Sequence, residues 1–446
     1  MRLSVIGCGY LGAVHAAAMV ELGHDVVGVE VDPAKAELLA AGKAPFYEPG
    51  FEDLLGRSLA SGRLSFSSDM ASAAGARLHF LCVGTPQKRG EYAADLRYVE
   101  AATDALLDVL GSGELVVGKS TVPVGTAARL AELVGRRVPG AALAWNPEFL
   151  REGFAVQDTL RPDRLVFGVA DGWAEGLLDE VYAPIVAAGT PKVVTDYATA
   201  EMVKTAANSF LATKISFINA MAELCEATGA DVTQLAAAIG HDERIGRRFL
   251  NAGLGFGGGC LPKDIRAFMA RAGELGADQA LAFLREVDNI NMRRRIRMVE
   301  LAREVCDGSL LGQRIAVLGA AFKPESDDIR DSPALNVAAQ LQLQGASVVV
   351  TDPAAVETAR RAWPQLEYSG SADDAARGAD AVLLLTEWAQ YREIDPVRLG
   401  GIVRRRRMLD GRNALDREVW EGAGWSYRAL GRPTGNERSA VIAGLA

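Results

Sequence analysis

Cys260 stands in the run Gly255-Phe256-Gly257-Gly258-Gly259-Cys260-Leu261-Pro262-Lys263-Asp264, with closely spaced glycines before the thiol and a lysine and an aspartate after it. Glycines let backbone and substrate approach a sulfur closely, and a nearby ammonium or a helix start shifts a thiol toward its nucleophilic thiolate. A lone cysteine is usually a buried apolar side chain, but this setting points to covalent catalysis. Lys204 and Asn208 form a second constellation. They lie four apart in a stretch with helical spacing from about Thr199 to Gly229, so they share a face and direct a cation and an amide at the same object. The flanking Val203, Ala206, Ala207, Phe210 and Leu211 make that face less than fully wet.

These groups need a scaffold, and the chain opens with one. A short apolar strand, Leu3-Ser4-Val5-Ile6, leads into Gly7-Cys8-Gly9-Tyr10-Leu11-Gly12 and a helical run from Ala13 to Leu22; a second strand, Asp25 to Val29, ends at Glu30, 18 residues after Gly12. A bare GxGxxG is weak evidence. Between two strands, with an acid at that remove, it reads as a dinucleotide turn in which the glycines permit close approach of a pyrophosphate to a helix N-terminus. Glu30 then holds the adenosine ribose hydroxyls and repels a 2′-phosphate, which favours NAD over NADP. Further βα units follow at Leu78 to Val83 and Glu114 to Thr121. Ligands in open α/β sheets sit beyond the carboxyl ends of strands, which places Gly84-Thr85-Pro86 and Ser120-Thr121-Val122-Pro123 at the cofactor edge.

A second helical stretch, roughly Ala280 to Val305, leads to a repeat of the opening pattern: strand Arg314 to Gly319, a loop, helix Pro333 to Gln344, strand Ser347 to Asp352, and another strand, Ala381 to Thr386. This half lacks the glycine fingerprint, which suits a nucleotide-bearing substrate better than a dinucleotide. The predicted fold is therefore α/β, with two Rossmann-like doubly wound domains, 1–198 and 306–446, joined by a central helical segment with a long helix, 199–305.

Bulk properties agree with an ordinary soluble globular protein. The 446 residues, 49% apolar and 24% charged, are enough for two or three packed domains. A net charge of −9 argues against a nucleic-acid partner, and the Arg404 to Arg407 run reads as a solvated loop or strand approach. Five cysteines (Cys8, Cys82, Cys225, Cys260, Cys306) without a CxxC pair signal neither a disulfide framework nor a zinc site. With His15, His24, His79 and His241 also dispersed, no metal is predicted. A reducing cytoplasm fits, and no membrane association is expected. The apolar stretch from Leu3 to Val20 has the outline of a secretory leader, but three glycines interrupt it and its loss would delete the glycine turn.

Together with Asn146-Pro147-Glu148-Phe149-Leu150-Arg151-Glu152-Gly153 and Gly319-Ala320-Ala321-Phe322-Lys323-Pro324-Glu325-Ser326-Asp327-Asp328-Ile329-Arg330, these motifs make the chain resemble the UDP-glucose/GDP-mannose dehydrogenase family from Met1 to about Pro433. The resemblance implies an NAD-dependent, four-electron oxidation of a sugar nucleotide's C6 hydroxyl to a carboxylate. Cys260 would capture the C6 aldehyde and carry a thioester, Lys204 and Asn208 would stabilise the oxyanion, Asp264 and Thr121 would position water or relay a proton, and Glu148 would act as base in hydrolysis. It further implies NAD contacts at Gly7, Gly9, Tyr10, Leu11, Gly12, Glu30, Lys35, Thr85, Thr121, Glu152, Lys263 and Arg330. Substrate contacts are implied at Glu148, Phe149, Leu150, Arg151, Glu152, Lys204, Asn208, Phe249, Leu250, Asn251, Ala252, Gly253, Gly257, Lys323 and Arg412, with Arg244 reaching into a neighbouring subunit's site, so that at least a homodimer is expected. Ala220 and Gly259 depart from the family's frequent acid and serine. UDP-glucose is favoured over GDP-mannose, dTDP-glucose or an N-acetylhexosamine nucleotide. A two-electron β-hydroxyacid dehydrogenase needs neither Cys260 nor the second nucleotide-type half. A non-catalytic sugar-nucleotide-binding protein does not need the reactive set.

Overall fold

The computed structural model describes residues 1–433, so residues 434–446 of the predicted C-terminal domain lie outside the described residues. The chain forms two compact units, one of residues 1–207 with 266–278 and one of 208–265 with the residues from 279 onward. The division falls inside the long helix, between Ala207 and Asn208.

The first unit holds eight strands: β1 (Arg2–Ile6), β2 (Asp25–Val29), β3 (Leu64–Ser67), β4 (Leu78–Leu81), β5 (Leu115–Gly118), β6 (Ala142–Trp145), β7 (Leu165–Gly168) and β8 (Lys192–Thr195). They lie in the order β3-β2-β1-β4-β5-β6-β7-β8, parallel throughout except where Trp145 of β6 meets Gly168 of β7. The central strands are buried along their length, as parallel strands covered on both faces must be. Helix α1 (Tyr10–Glu21) is buried from Gly12 to Val20, because it packs on the sheet and against helices Phe51–Ala60 and Ala155–Leu160. That explains an Ala-rich run without a polar stripe. It starts three residues earlier than the apolar spacing predicts, since Gly9 is its N-cap, and Gly23, with φ +102°, closes it. Strand β5 stops at Gly118 rather than Thr121: after the Lys119 amide bonds Leu81 O, the chain turns and Ser120 Oγ donates to Val83 O instead.

The second unit holds β9 (Arg314–Leu318), β10 (Ser347–Thr351), β11 (Glu367–Tyr368), β12 (Ala381–Leu384), β13 (Arg407–Asp410) and β14 (Ser426–Ala429), all parallel, in the order β11-β10-β9-β12-β13-β14. Its arginine run is a strand approach as expected: Arg404 pairs with Asp380, and Arg405 and Arg407 with Asp307. The long helix is α2 (Tyr197–Thr228, 32 residues), and α3 (Leu261–Glu274) begins directly after Cys260. The stretch predicted from Ala280 divides into a 3-10 turn, Asp278–Leu281, and helix α4 (Ala282–Val305).

Candidate functional site

In the first unit the glycine turn has the geometry its sequence requires. Gly7 takes φ +85° and its amide bonds Val29 O at 2.8 Å. A Cβ on Gly12 would lie 1.9 Å from Gly7 O, so only glycine lets α1 start this close to β1. Helix α1 has no side-chain cap at its N-terminus, which leaves its first-turn amides available to a phosphate. The turn thus fits the pyrophosphate of a dinucleotide. Glu30, 7% exposed at the end of β2, accepts the Asp32 amide at 3.1 Å. Lys35 lies one helical turn past the Asp32 cap, exposed. Thr85 Oγ1 donates to Thr121 O at 2.7 Å, joining the two loops assigned to the cofactor edge.

The segment from Asn146 to Gly153 follows β6. Glu148 accepts the Leu150 amide at 2.7 Å and the Lys204 ammonium at 2.9 Å, so α2 delivers a cation to the carboxylate. Phe149 lies beside both Lys204 and Arg164, whose guanidinium carbon is 3.8 Å from the ring centre. Arg151 turns away to Asp158. The far end of the segment is pinned by a residue that motif reading missed. Glu48, pushed up by burial, accepts the Gly153 and Ala155 amides at 2.6 and 2.7 Å and the hydroxyl of Tyr10. Tyr10 belongs to the glycine turn, so that turn and the Asn146 to Gly153 segment share one buried hydrogen-bond cluster. Glu201 of α2 was also missed. It accepts the Gly125 and Ala127 amides, capping helix Thr126–Arg137 after the Thr121 loop, and burial pushes it up to about 6.

In the second unit Asp264 accepts Asn208 Nδ2 and Lys263 Nζ, both at 2.6 Å, and is 1% exposed. Its amide bonds Cys260 O at 2.9 Å, so the thiol-bearing residue and the aspartate share the first turn of α3. Cys260 is exposed, whereas Cys8, Cys82, Cys225 and Cys306 are buried. Two of the glycines before it are required by contact: a Cβ would come within 2.4 Å of Asp331 O at Gly257 and 2.7 Å of the Phe322 ring at Gly258, which also holds φ +84°. At Gly259 a Cβ would meet only the movable end of Arg330, 2.2 Å from its guanidinium, so Arg330, itself paired with Asp328, lies directly against the cysteine loop. Phe249 holds φ +65°, Leu250 and Ala252 are buried, Asn251 accepts from Arg247, and the Gly253 amide donates to Asn219. Lys323 lies 5.4 Å from the Phe322 ring. Arg412 donates to the carbonyls of Leu385, Gly255 and Phe322. Arg244 is 88% exposed and pairs with Asp242.

The predicted cofactor residues Gly7 to Gly12, Glu30, Lys35, Thr85, Thr121 and Glu152 lie in the first unit, and Lys263 and Arg330 in the second. Of the reactive set, Thr121, Glu148 and Lys204 belong to the first and Asn208, Cys260 and Asp264 to the second. Among the described residues no group of three or more His, Cys, Asp or Glu side chains could hold a metal ion. No helix among them is long and apolar enough to cross a membrane.

Comparison with known proteins matches three family models in order: the UDP-glucose/GDP-mannose dehydrogenase family NAD binding domain over residues 1–186, its central domain over 198–293, and its UDP binding domain over 316–417. The chain is 41% identical to the UDP-glucose 6-dehydrogenase of Rhizobium meliloti, covering 97% of this chain and 100% of the relative. It is 40% identical to a UDP-glucose 6-dehydrogenase of Bacillus subtilis, over 97% and 93% of the two chains. A UDP-glucose dehydrogenase structure from Pyrobaculum islandicum superposes with a TM-score of 0.88 at 40% identity, covering 97% of this chain and 98% of the other.

Proposed function

The chain belongs to the UDP-glucose/GDP-mannose dehydrogenase family, and from that premise we propose that it oxidises UDP-glucose at C6 to UDP-glucuronate with NAD. The observation that carries the reading is the pairing of an exposed cysteine at a helix start with Asp264 held between Asn208 and Lys263, on a chain that also supplies a Glu148–Lys204 pair. The Gly7 to Gly12 turn and Glu30 are the residues that would hold NAD, which would supply the hydride acceptor for both oxidations.

The first oxidation turns the C6 alcohol into an aldehyde, releasing one proton. Cys260 Sγ then adds to the aldehyde carbon, and the oxygen takes up a proton to give a thiohemiacetal. Sulfur suits this step because it adds readily to carbonyls and leaves as a thiolate. Loss of the second hydride and a proton gives the thioester. Water, deprotonated by Glu148, attacks the thioester carbon; the C–S bond breaks, the thiol is regenerated and the carboxylate leaves. Lys204 and Asn208 are fixed donors for the oxyanions of these additions, while Asp264 and Thr121 order water and relay protons. Phe149 to Glu152, Phe249 to Gly253, Gly257, Lys323 and Arg412 are assigned to the sugar nucleotide. The division into 1–198, 199–305 and 306–446 and a cytoplasmic location belong to the same reading.

A homodimer or larger assembly completes it. Phe210, Phe217 and Leu224 of α2, 65%, 48% and 57% exposed, recur every seven residues, the spacing of a helix seam that expects a partner. Arg244, exposed on the surface, is assigned to the neighbouring subunit's substrate. Subunit-exchanged mixtures of Arg244→Ala and Cys260→Ala chains should then recover activity that neither parent has; mixtures no better than either parent refute the shared site.

The decisive test is NADH release from UDP-, dTDP- and GDP-sugars with product stoichiometry. Two NADH per UDP-glucuronate are expected from UDP-glucose, and Cys260→Ser should bind substrate yet fail to release acid. Rapid acid formation by that variant, or turnover confined to another nucleotide, overturns the proposal.

A further inference from the structure

Lys119 takes no part in the chemistry above, yet it carries a cation into the interior of the first unit. It follows β5 directly and is 6% exposed. Its ammonium donates to Asn146 Oδ1 at 2.9 Å, Asn146 O at 3.4 Å and the Tyr182 hydroxyl at 3.3 Å. The Phe80 and Tyr182 ring centres lie 5.7 and 5.9 Å from Nζ. Among the described residues no carboxylate forms an ion pair with it. An ammonium buried without a counter-ion is unfavourable.

A purely structural role does not account for that cation. Asn146 Oδ1 already accepts the Tyr182 hydroxyl at 2.7 Å, Asn146 Nδ2 donates to Val166 O, and its amide bonds Gly118 O. The asparagine is held without the lysine, and an apolar chain of similar length would fill the same volume. What the ammonium adds is a second positive charge at the root of the segment Asn146-Pro147-Glu148, whose carboxylate is paired with Lys204. The charged and titratable groups that bear on Lys119 are Glu148 and Lys204, Cys82 just past β4, and His15 of α1, with the phenol of Tyr182 in contact. Burial brings its ammonium down to about 8, against the opposing pull of Cys82 and Glu148.

Resting on the assignment of Glu148 as the base of thioester hydrolysis, we propose that Lys119 is a positioning residue for that step, its ammonium orienting the Glu148–Lys204 ion pair through its charge. Below pH 8 the lysine is charged and this influence is present; it is lost as pH rises through about 8. In Lys119→Met it is absent at every pH.

The test compares wild type, Lys119→Met and Lys119→Arg by steady-state kinetics with UDP-glucose and NAD from pH 6.5 to 9.5 (the range brackets ~8), by intact mass of acid-quenched enzyme, and by thermal melting. Lys119→Met should melt no lower than wild type, lose about tenfold in kcat with KM within about twofold, lack the limb near pH 8, and accumulate substrate-modified chain. Lys119→Arg should keep the high plateau beyond pH 9. Wild type that makes no UDP-glucuronate overturns the functional reading itself. Normal wild-type turnover with an unchanged kcat or an unchanged limb in Lys119→Met overturns only the role of Lys119. So does a melting temperature of Lys119→Met several degrees lower, which would make the residue structural. If only the arginine variant folds, a limb that stays at pH 8 overturns the role, and its displacement upward supports it.

Discussion

The two sheets run through the same opening steps and end them differently. In both, the first strand gives way to a glycine with positive φ, Gly7 or Gly319, whose amide bonds the last carbonyl of the next strand at 2.8 Å. In both, an acid follows that next strand at the matching register, Glu30 after Val29 and Asp352 after Thr351. Glu30 accepts a local amide from Asp32. Asp352 is consumed: it accepts the amides of Ala320 and Ala321 at 2.7 and 3.0 Å, those of Ala354 and Ala355 at 3.0 and 2.9 Å, and the Trp388 indole at 3.2 Å. The backbone donors that a pyrophosphate would seek after β9 are already satisfied by the protein. Beyond the strands equivalent to each other two places along, β5 is followed by the cation Lys119, while β13 ends in Asp410, a carboxylate pushed up by burial that accepts three amides and the Tyr427 hydroxyl. One scaffold thus serves two ligands, with the choice made at the carboxyl ends of the strands and not within the sheet.

Substitutions on either side of this comparison should have opposite signatures. Asp352→Ala leaves several buried donors without an acceptor, at roughly 1–3 kcal/mol for each that water cannot reach. A loss of about 4 kcal/mol is expected in urea unfolding, with NAD affinity preserved. A loss below about 1 kcal/mol would mean that water replaces the carboxylate and that the second turn is not prefilled. Gly12→Ala forces a Cβ into Gly7 O; overpacking of ~3 kcal/mol corresponds to roughly 100-fold in the NAD dissociation constant, read by fluorescence titration. Binding within a few-fold of wild type would remove the glycine turn from the cofactor site. Glu30→Ala is the mildest. Stability should change by less than about 1 kcal/mol, since one local hydrogen bond is lost, and the preference for NAD over NADP in kcat/KM should fall about tenfold. An unaltered preference would break the parallel between the two acids at its functional end.

Much of this was legible in the sequence, and the reasons differ by residue. The glycine turn, the two strand–helix–strand openings and the cysteine loop were readable because each is written in consecutive residues whose backbone needs are local. Strands β6, β7 and β8 were not. Each is four residues long, and β8 leaves Val193 and Val194 exposed at the sheet edge, so neither length nor alternation marks it. The roles of Glu48, Glu201, Asp352 and Lys119 were also hidden. Glu48 acts on amides more than a hundred residues away, a tie that no spacing rule reports. Lys119 carried a faint signal: a charge directly after a fully apolar strand that must be buried or turned out. The division between Ala207 and Asn208 leaves no mark in the sequence because α2 runs through it unbroken, and helical periodicity does not report where packing partners change.

The distribution of sulfur gives the molecule a built-in counter. Burial pushes the Cys8, Cys82, Cys225 and Cys306 thiols up, Cys82 to about 12, and removes them from solvent. Reagents that attack thiolates therefore meet one accessible sulfur per folded chain. With Cys260 in the catalytic role proposed above, alkylation of the folded chain should inactivate it as label rises to one equivalent, and any label beyond the first reports unfolded chain.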